Sequence, residues 1–441
     1  FRSKNVNMKR LLYNSLIEWK QKKDRKPLIL NGARQVGKTW LLNEFAKSEY
    51  KKHILFSLDR DKNVRKIFEE ADNTEQILRN LSALSGIEIT PNDTLIVLDE
   101  IQDCPSALTA LKYFCEEKPE IHIAVAGSLL GISMHEQKSF PVGKVDELRL
   151  YPMIFLEFLM AMGKDKMAEE LQNGNWQTIS SLSGEYIDLL RQYYYVGGMP
   201  AAVLSYSENK NINKVREIQR QILSDYEQDF SKHAPYNEVP RIRMVWNSIP
   251  SQLAKENKKF IYGAIKKGAR ASSFEIAIQW LIDAGLIYKV NRVNDVKIPL
   301  KFYEDMNAFK LFILDVGLMG AMVEAPAEAV LIGNKIFSEY KGAFTELFVC
   351  IQMSDTQIPL YTHSVESSRI ELDFIVQIGN YVYPVEVKAE ENLQSKSLKT
   401  FIQKNPDLRA IRLSMKAHIS QEWLECIPLY AFREELIRMK N

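Results

Sequence analysis

The sequence has few cysteines and histidines, and neither residue type occurs in the spacing of a metal-binding motif. Its 441 residues include four cysteines, which are scattered along the chain without a CxxC pair. This scatter excludes a cysteine zinc site and suits a reducing compartment. The six histidines show no HExxH spacing, which excludes a zincin metalloprotease. The cysteines are Cys104, Cys115, Cys350 and Cys426.

Long apolar runs and a surplus of one charge are lacking as well. No stretch approaches about 18 consecutive apolar residues, so the sequence predicts no membrane span. The first five residues contain neither an initiator Met nor the charged-then-apolar pattern of a signal peptide. We therefore expect a trimmed or tagged start and a cytoplasmic protein. Lys and Arg number 58 against 56 Asp and Glu, so the chain as a whole is not a polycation that coats nucleic acid.

What the sequence does contain is the composition and pattern of a multidomain α/β protein. It is 46% hydrophobic and 26% charged. At roughly 100–200 residues per domain, its length predicts about two to four domains. Through residues 28–126, short apolar runs alternate with helical stretches, which favours a doubly wound parallel sheet. Residues 151–229 have a mostly helical pattern, and residues 325–334 are a candidate domain boundary.

The residues after the first apolar run match the phosphate-binding pattern GxxxxGK[ST] at every required position. Such a loop turns its backbone N–H groups toward phosphate oxygens, and the helix that follows adds its positive dipole end. Lys38 is predicted to reach the β- and γ-phosphates of ATP, and Thr39 is predicted to ligate Mg²⁺. The other cofactor-binding positions of the motif are Gly32, Ala33, Arg34, Gln35, Val36 and Gly37.

Two acidic residues, Asp99 and Glu100, come directly after a second apolar run. At the carboxyl end of a buried parallel strand, Asp99 is predicted to hold Mg²⁺ through water, and Glu100 to orient and deprotonate the attacking water. Glu100, Lys38 and Asp99 are therefore the catalytic candidates. Ser128, which follows the run at residues 121–126, is placed to sense the γ-phosphate. The alternatives are ordinary solvation of a strand end for the acids and a plain Gly-Ser turn for Ser128.

At these residues the sequence resembles a large prokaryotic group of AAA+-type ATPases, in which an N-terminal ATPase is fused to a C-terminal domain of uncharacterised function. The resemblance covers nearly the whole chain and implies ATP and Mg²⁺ as cofactors. AAA+ relatives often form rings, so a homo-oligomer is among the expectations. Many members have Gly-Arg-Val where this chain has Lys144 in place of the arginine, and we name no arginine finger because lysine replaces arginine poorly. The segments that carry the resemblance are residues 27–42, 95–105, 126–131, 140–159, 195–202 and 257–271.

A β-hairpin is predicted near the C-terminus. Residues 370–378 alternate apolar and polar side chains, residues 379–380 are the two-residue turn Gly-Asn, and residues 381–388 form the return strand. This loop length pairs residue 378 with residue 381. Pro384 in the return strand indicates an edge strand or a bulge, which would disturb that simple register.

The predicted register places two carboxylates, Asp373 and Glu386, opposite each other. Their mutual repulsion is a cost that a second Mg²⁺ or an Mn²⁺ would remove. Asp…Glu-x-Lys on a hairpin is similar to the PD-(D/E)xK nuclease core, which implies that Lys388 stabilises developing phosphate charge and that Glu346 is the acid of the preceding helix. The alternatives are a solvated face with an ion pair between Glu371 and Lys388, or a nuclease-like fold without activity.

Positive charge is concentrated in the centre of the chain. Residues 239–292 hold ten Lys and Arg against three acids. Three helices are predicted, at residues 240 to about 256, 259–267 and 272–284, followed by extended runs at residues 286–293 and 300–303. This order resembles a winged helix, in which one helix reads a DNA groove and flanking lysines contact phosphates. The alternative is a solvated basic face on a structural connector. Residues 335–441, by contrast, hold 13 basic and 14 acidic residues.

Together these patterns predict an α/β protein with four parts. A P-loop AAA+-type ATPase core at residues 1–150 is followed by a helical lid at 151–235, a winged-helix-like basic segment at 236–325 and a restriction-endonuclease-like α/β domain at 333–441. The first hypothesis is an ATP-hydrolysing enzyme that acts on or with double-stranded DNA. The second is a nucleotide-dependent switch or scaffold for a protein partner, with an inactive nuclease-like domain. The third is a metal-dependent nuclease with a regulatory nucleotide site.

Overall fold

The computed structural model describes residues 8–128, 130–131, 140–255, 259–332, 341–364, 371–389 and 396–440. Parts of the predicted segments 126–131, 239–292, 333–441 and 370–378 lie outside these ranges. The chain divides into two units. The N-terminal unit consists of Lys9–Tyr151 with Asp283–Gly285, and the C-terminal unit consists of Phe1–Met8, Pro152–Ile282 and Leu286–Asn441.

The N-terminal unit is a five-stranded parallel sheet with helices between its strands, as the alternating pattern predicts. The order of the strands is β2-β3-β4-β1-β5. The strands are β1 Leu28–Asn31, β2 Lys52–Ser57, β3 Thr94–Asp99, β4 His122–Ala126 and β5 Asp146–Arg149. The helices are α1 Leu12–Gln21, α2 Lys38–Glu49, α3 Lys62–Glu70, α4 Thr74–Ser85 and α5 Pro105–Glu117.

Burial explains which of these strands could be predicted. Every residue of β3 and β4 is buried, because both strands lie inside the sheet, and this gives them continuous apolar runs. The edge strand β5 alternates half-buried and exposed residues, and its sequence, Asp-Glu-Leu-Arg, shows no apolar run. The sequence therefore did not predict β5. The central order β3-β4-β1 brings the carboxyl ends of these three strands to one edge of the sheet.

The C-terminal unit combines helices with an eight-stranded mixed sheet. The helices are α6 Phe155–Ala161, α7 Asp165–Asn173, α8 Trp176–Ser181, α9 Ser183–Val196, α10 Pro200–Asn209, α11 Ile212–His233, α12 Val239–Ala254, α13 Tyr262–Ile265, α14 Glu275–Asp283, α15 Val316–Met322, α16 Ala327–Ile332, α17 Lys341–Met353, α18 Lys396–Lys404 and α19 Phe432–Lys440. The strands are β6 Ile287–Val293, β7 Glu304–Ile313, β8 Leu360–Ser364, β9 Glu371–Ile378, β10 Tyr381–Val387, β11 Ala410–Ser414, β12 Ile419–Ser420 and β13 Leu424–Pro428. The order is β12-β13-β11-β10-β9-β8-β6-β7. Every helix in the described ranges is too short or too polar to cross a membrane.

The register of the predicted hairpin is confirmed. Ile378 pairs with Tyr381, and the antiparallel ladder of β9 and β10 continues to Phe374 opposite Val385. The prediction that Pro384 marks an edge or a bulge was wrong, since β10 lies between β9 and β11. Pairing with β11 begins only at Val385, so the proline precedes that ladder and does not disturb the register.

The central basic segment is not separate from the C-terminal sheet. Strands β6 and β7 form an antiparallel hairpin, and β6 also pairs with β8, so the hairpin extends the eight-stranded sheet. Residues 300–303, predicted to be extended, form a 3₁₀ turn before β7. The helix predicted at residues 259–267 is reduced to the single turn of α13. In this segment, short helical turns therefore replace one predicted helix and one predicted extended run.

Candidate functional site

The loop between β1 and α2 adopts a backbone that requires its glycines. A Cβ on Gly32 would lie 2.2 Å from the carbonyl oxygen of Leu150, and its φ is +149°. Gln35 and Gly37 also have positive φ, at 66° and 95°, and α2 begins directly after Gly37. The loop therefore curls closely against neighbouring backbone, as the motif at residues 32–39 predicts.

Lys38 is buried in this loop. Its Nζ donates to the carbonyl oxygens of Gly32 at 2.9 Å and of Ala33 at 2.8 Å. Burial lowers the pKa of Lys38 to about 8, although the charges of Glu100 and Asp99 oppose that effect. The ammonium group is thus held at the centre of the loop by two backbone carbonyl oxygens.

Thr39 and Asp99 are brought together from separate elements. The Thr39 hydroxyl donates to Asp99 Oδ2 at 2.7 Å. Asp99 is the last residue of β3 and is 8% exposed, and this burial raises its pKa. Hydroxyl and carboxylate oxygens are the ligands that Mg²⁺ prefers. The donor set at this point therefore fits the predicted magnesium ion.

Glu100 is held in place by two neighbouring side chains. Its Oε2 accepts from Gln102 Nε2 at 2.7 Å and from Ser128 Oγ at 3.2 Å. Its φ of +51° is uncommon for a residue other than glycine. The structure therefore joins Ser128, predicted as a γ-phosphate sensor, to the predicted catalytic carboxylate. Gln102 was not predicted, although its position two residues after Glu100 was available as a signal.

Arg10 is a second residue that sequence reasoning missed. It is 7% exposed and donates from Nη1 to the carbonyl oxygen of Val36 at 2.8 Å. Its Nη2 donates to the carbonyl oxygen of Tyr151 at 2.5 Å. The guanidinium thus supports the phosphate-binding loop from behind. No local pattern marks an arginine 26 residues before its partner.

Lys144, the residue that replaces the family's arginine, forms an ion pair on the surface of the N-terminal unit. Its Nζ lies 2.9 Å from Glu116 Oε1 on α5. Both side chains are 40% exposed. This contact accounts for Lys144 without any role for it at the loop.

The family comparison agrees with the N-terminal geometry. Residues 24–159 match the family model described as an AAA domain. The N-terminal unit is therefore similar to an AAA domain, and we call it the AAA-type domain. The match supports ATP hydrolysis and implies the use of ATP and Mg²⁺. Two further models, both described as domains of unknown function, match later parts of the chain: DUF8612 at residues 187–329 and DUF4143 at residues 341–432.

Solved structures with similarity to the chain include several ATPases. The Walker-type ATPase of Pyrococcus abyssi has a TM-score of 0.45 at 14% identity and covers 72% of this chain and 96% of its own. The Aeropyrum pernix ORC1 protein, solved in complex with DNA, has a TM-score of 0.30 at 14% identity, with 73% and 92% covered. The Thermotoga maritima RuvB Holliday junction branch migration motor has a TM-score of 0.27 at 12% identity, with 67% and 90% covered. All three TM-scores are below 0.5, so these likenesses carry no argument about function. No curated protein matches the chain.

Outside the AAA-type domain, each of the two hairpin carboxylates, Asp373 and Glu386, has its own partners. Asp373 lies one residue beyond the last pair of the ladder, and its Oδ2 accepts from the backbone N–H of Val387 at 2.7 Å. Glu386 Oε1 lies 3.1 Å from Lys388 Nζ. Glu386 Oε2 lies 3.9 Å from Arg412 Nε, and neither atom has a hydrogen-bond partner among the described residues. The predicted repulsion is therefore relieved by the chain's own groups.

A buried lysine completes this C-terminal group. Lys310 Nζ lies 3.0 Å from Glu346 Oε2 and 3.8 Å from Glu371 Oε1. Burial lowers the pKa of Lys310, but the charges of Glu346 and Asp373 outweigh this effect and raise the pKa to about 12. Burial and the charge of Glu346 raise the pKa of Asp373 to about 7. Lys310 was not predicted, although a single lysine within the buried run 308–313 is a signal that could have identified it.

The expected second metal site does not fit this arrangement. Across the described ranges, no three His, Cys, Asp or Glu side chains are grouped so that they could hold a metal ion. The carboxylates of Asp373, Glu386 and Glu346 are each engaged by a backbone amide or a cation. The prediction of a second Mg²⁺ or Mn²⁺ at these residues therefore finds no support in this arrangement, because an ammonium group lies where positive charge is needed.

The central segment exposes basic residues, and helix α14, which precedes the β6–β7 hairpin, contains none of them. Helix α14 exposes Glu275, Ile276 and Gln279, and Ile276 is 62% exposed. The exposed basic residues lie before this helix and in its approach: Lys255, Lys259, Lys266, Lys267 and Arg270. This surface, together with the exposed Arg241 and Arg243 of α12, can contact phosphates.

Proposed function

We propose that the AAA-type domain binds ATP with Mg²⁺ at residues 32–39 and hydrolyses it. The observation that carries this proposal is the convergence of Thr39, Asp99 and Glu100 at the carboxyl edge of the sheet. Mg²⁺ would neutralise charge on the β- and γ-phosphates, held by Thr39 and, through water, by Asp99. The backbone amides of the loop and the N-terminus of α2 would bind the phosphates.

In this proposal each side chain has one task. Lys38 exchanges the carbonyl oxygens of Gly32 and Ala33 for phosphate oxygens. Glu100 orients the attacking water and accepts its proton, because the contacts from Gln102 and Ser128 hold the carboxylate in position. Ser128 lies between Glu100 and the end of β4, where it can couple the presence of the γ-phosphate to the base.

We further propose that the ATPase acts with double-stranded DNA through the exposed basic residues Lys255, Lys259, Lys266, Lys267 and Arg270. Lysines and arginines on a surface bind phosphates without regard to base sequence. The exposed Glu275 and Ile276 of α14 do not favour base recognition. The proposal therefore specifies backbone contact and predicts little sequence preference.

Steady-state ATP hydrolysis, measured with and without duplex DNA across a salt titration, tests both parts. Lys38→Ala serves as the blank. Stimulation by DNA that disappears as salt rises supports the DNA proposal, because phosphate contacts release counterions. Loss of turnover in Lys38→Ala supports the ATPase proposal. If DNA at low salt does not change the turnover of the wild-type protein, the proposed coupling to DNA is overturned.

A nucleotide-dependent switch for a protein partner is a second candidate. The observation that favours it is a group of exposed apolar residues around the β6–β7 hairpin: Phe302 is 85% exposed, Met306 is 62% exposed and Ile298 is 44% exposed. Exposed apolar groups of this kind are typical of protein contacts. Light scattering with ATP and with ADP distinguishes this candidate, including self-association of the chain, by a nucleotide-dependent mass that DNA does not change.

A further inference from the structure

Four carboxylates of the C-terminal unit interact with cationic side chains of the same unit. Glu346 lies on α17, and Glu371 and Asp373 lie on β9. Lys310, from the β7 strand of the central hairpin, contacts Glu346 and Glu371 and also acts electrostatically on Asp373. Helix α17, β7 and β9 therefore meet around one ammonium group.

Glu386, the fourth carboxylate, faces two other cations. Its two oxygens face Lys388 at 3.1 Å and Arg412 at 3.9 Å. Four carboxylates thus have three cations, so the group as a whole carries little surplus negative charge. A divalent ion gains most where several carboxylates are uncompensated, and here it would meet Lys310 at short range. Like charges in a buried group repel strongly because solvent screens them little.

The burial of Lys310 shows that this ammonium belongs to the fold. The residue is 6% exposed and lies in the stretch 308–313 of β7, where every position is buried. A buried charge is tolerated only when it is paired. Glu346 is itself largely buried, with its side chain 13% exposed, and provides that pairing at 3.0 Å.

We infer that Lys310 is the internal cation of this cluster of four carboxylates and takes the place of a divalent metal ion. The C-terminal unit then binds no Mg²⁺ or Mn²⁺ at Asp373 and does not cleave nucleic acid by metal-dependent hydrolysis. The ammonium instead joins β7 of the central hairpin to α17 and β9. This inference does not depend on the proposed ATPase, since the residues involved all lie in the C-terminal unit.

Mn²⁺ binding to the full chain tests the inference by calorimetry and electron paramagnetic resonance. Asp99→Asn is present in every sample, to remove the proposed metal site of the AAA-type domain. Lys310→Met preserves the length of the side chain and removes its charge. We expect Lys310→Met to bind Mn²⁺ at least about tenfold more tightly than the Lys310 parent, and the gain to disappear when Asp373→Asn is added.

The matched control is Lys301→Met, which removes an exposed lysine from the same central hairpin and is expected to leave Mn²⁺ binding unchanged. A saturable Mn²⁺ site in the Lys310 parent that Asp373→Asn abolishes would overturn the inference. So would a folded Lys310→Met variant that gains no Mn²⁺ affinity.

Thermal unfolding covers the case in which Lys310→Met is unstable, since it leaves Glu346 without its cation. The inference then requires Mn²⁺ to raise the melting temperature of Lys310→Met more than that of the Lys310 parent. Equal shifts in both proteins would contradict it.

Discussion

The hydroxyl of Thr39 donates a 2.7 Å hydrogen bond to the carboxylate of Asp99, sixty positions further along the chain. Thr39 is the second residue of α2 and Asp99 is the last residue of β3, and the parallel sheet brings them together. Glu100, directly after Asp99, is therefore positioned by the same strand. This relationship makes the edge of the sheet the place at which the proposed hydrolysis can be tested residue by residue.

Replacing Glu100 with glutamine is expected to preserve ATP binding and to reduce turnover by about 10²- to 10⁴-fold, since the amide can keep a hydrogen bond to Gln102 or Ser128 but cannot accept a proton. Nucleotide affinity and single-turnover hydrolysis measure the two effects separately. Glu116→Gln, on the exposed surface of α5, is the control and should leave both unchanged. Wild-type turnover in Glu100→Gln would remove Glu100 from the proposed chemistry.

ATP affinity is expected to depend on the protonation of Lys38. Burial lowers the pKa of the free Lys38 to about 8, so the ammonium begins to lose its proton above that pH. Because a phosphate binds the charged form, affinity should be constant below about pH 7 and should fall as pH rises through 8. Titration with a fluorescent ATP analogue between pH 6.5 and pH 9.5, on the order of 0.5-unit steps, measures this.

Lys38→Arg is the comparison for that titration, since a guanidinium keeps its charge throughout the range. Its affinity, whatever its absolute value, should not decline between pH 8 and pH 9, on the order of one pKa unit above the Lys38 transition. The same decline in both proteins would assign the pH dependence to another group.

The stability of the AAA-type domain is expected to fall at acidic pH because of His122. This residue is 3% exposed, and its Nδ1 lies 2.7 Å from the Tyr50 hydroxyl and its Nε2 lies 3.3 Å from Asn92 Oδ1. Burial, together with the charges of Arg25 and Lys20, lowers its pKa to about 4 from an ordinary 6.5. The unfolded chain therefore takes up this proton first. Stability is full above pH 6.5 and is lost as pH falls from 6.5 toward 4.

Urea unfolding at pH 7.5 and at pH 5, on the order of 2.5 units apart, tests this expectation. The full shift corresponds to about 2 kcal/mol over this interval, and residual solvent contact reduces the expected loss to about 1 kcal/mol. His122→Gln should lose less stability than wild type over that interval, whereas His53→Gln, on the edge strand β2 of the same sheet, should behave as wild type. A wild-type loss that survives in His122→Gln would show that another group titrates.

The proposed DNA surface is tested by a pair of lysines. Lys266→Ala combined with Lys267→Ala is expected to weaken duplex binding equally for unrelated base sequences. Each lost phosphate contact should reduce the slope of log affinity against log salt by about 1. Fluorescence anisotropy at several salt concentrations measures the slope. Lys399→Ala with Lys404→Ala, two exposed lysines of α18, is the matched control. Equal slopes in the two double variants would make the basic segment a structural face.

Much of the N-terminal fold could be predicted because its information is local. The runs in β3 and β4 are continuously apolar since both strands are covered on their two faces, and the loop at residues 32–39 is one uninterrupted motif. The hairpin register also followed from local information, since a two-residue loop leaves Ile378 opposite Tyr381. Edge strand β5 was missed because a strand with one neighbour needs no apolar run.

Contacts between residues that are far apart in the sequence could not be predicted from local patterns. The residues of the motif, the two acids after β3 and the pairing of β9 with β10 are properties of short stretches, in which backbone geometry depends on neighbouring residues. The support of the loop by Arg10, the contact of Ser128 with Glu100 and the placement of Lys310 beside Glu346 depend on which strands and helices become neighbours. That choice is made by burial over the whole unit, since a buried charge is stable only where the packed chain supplies its partner.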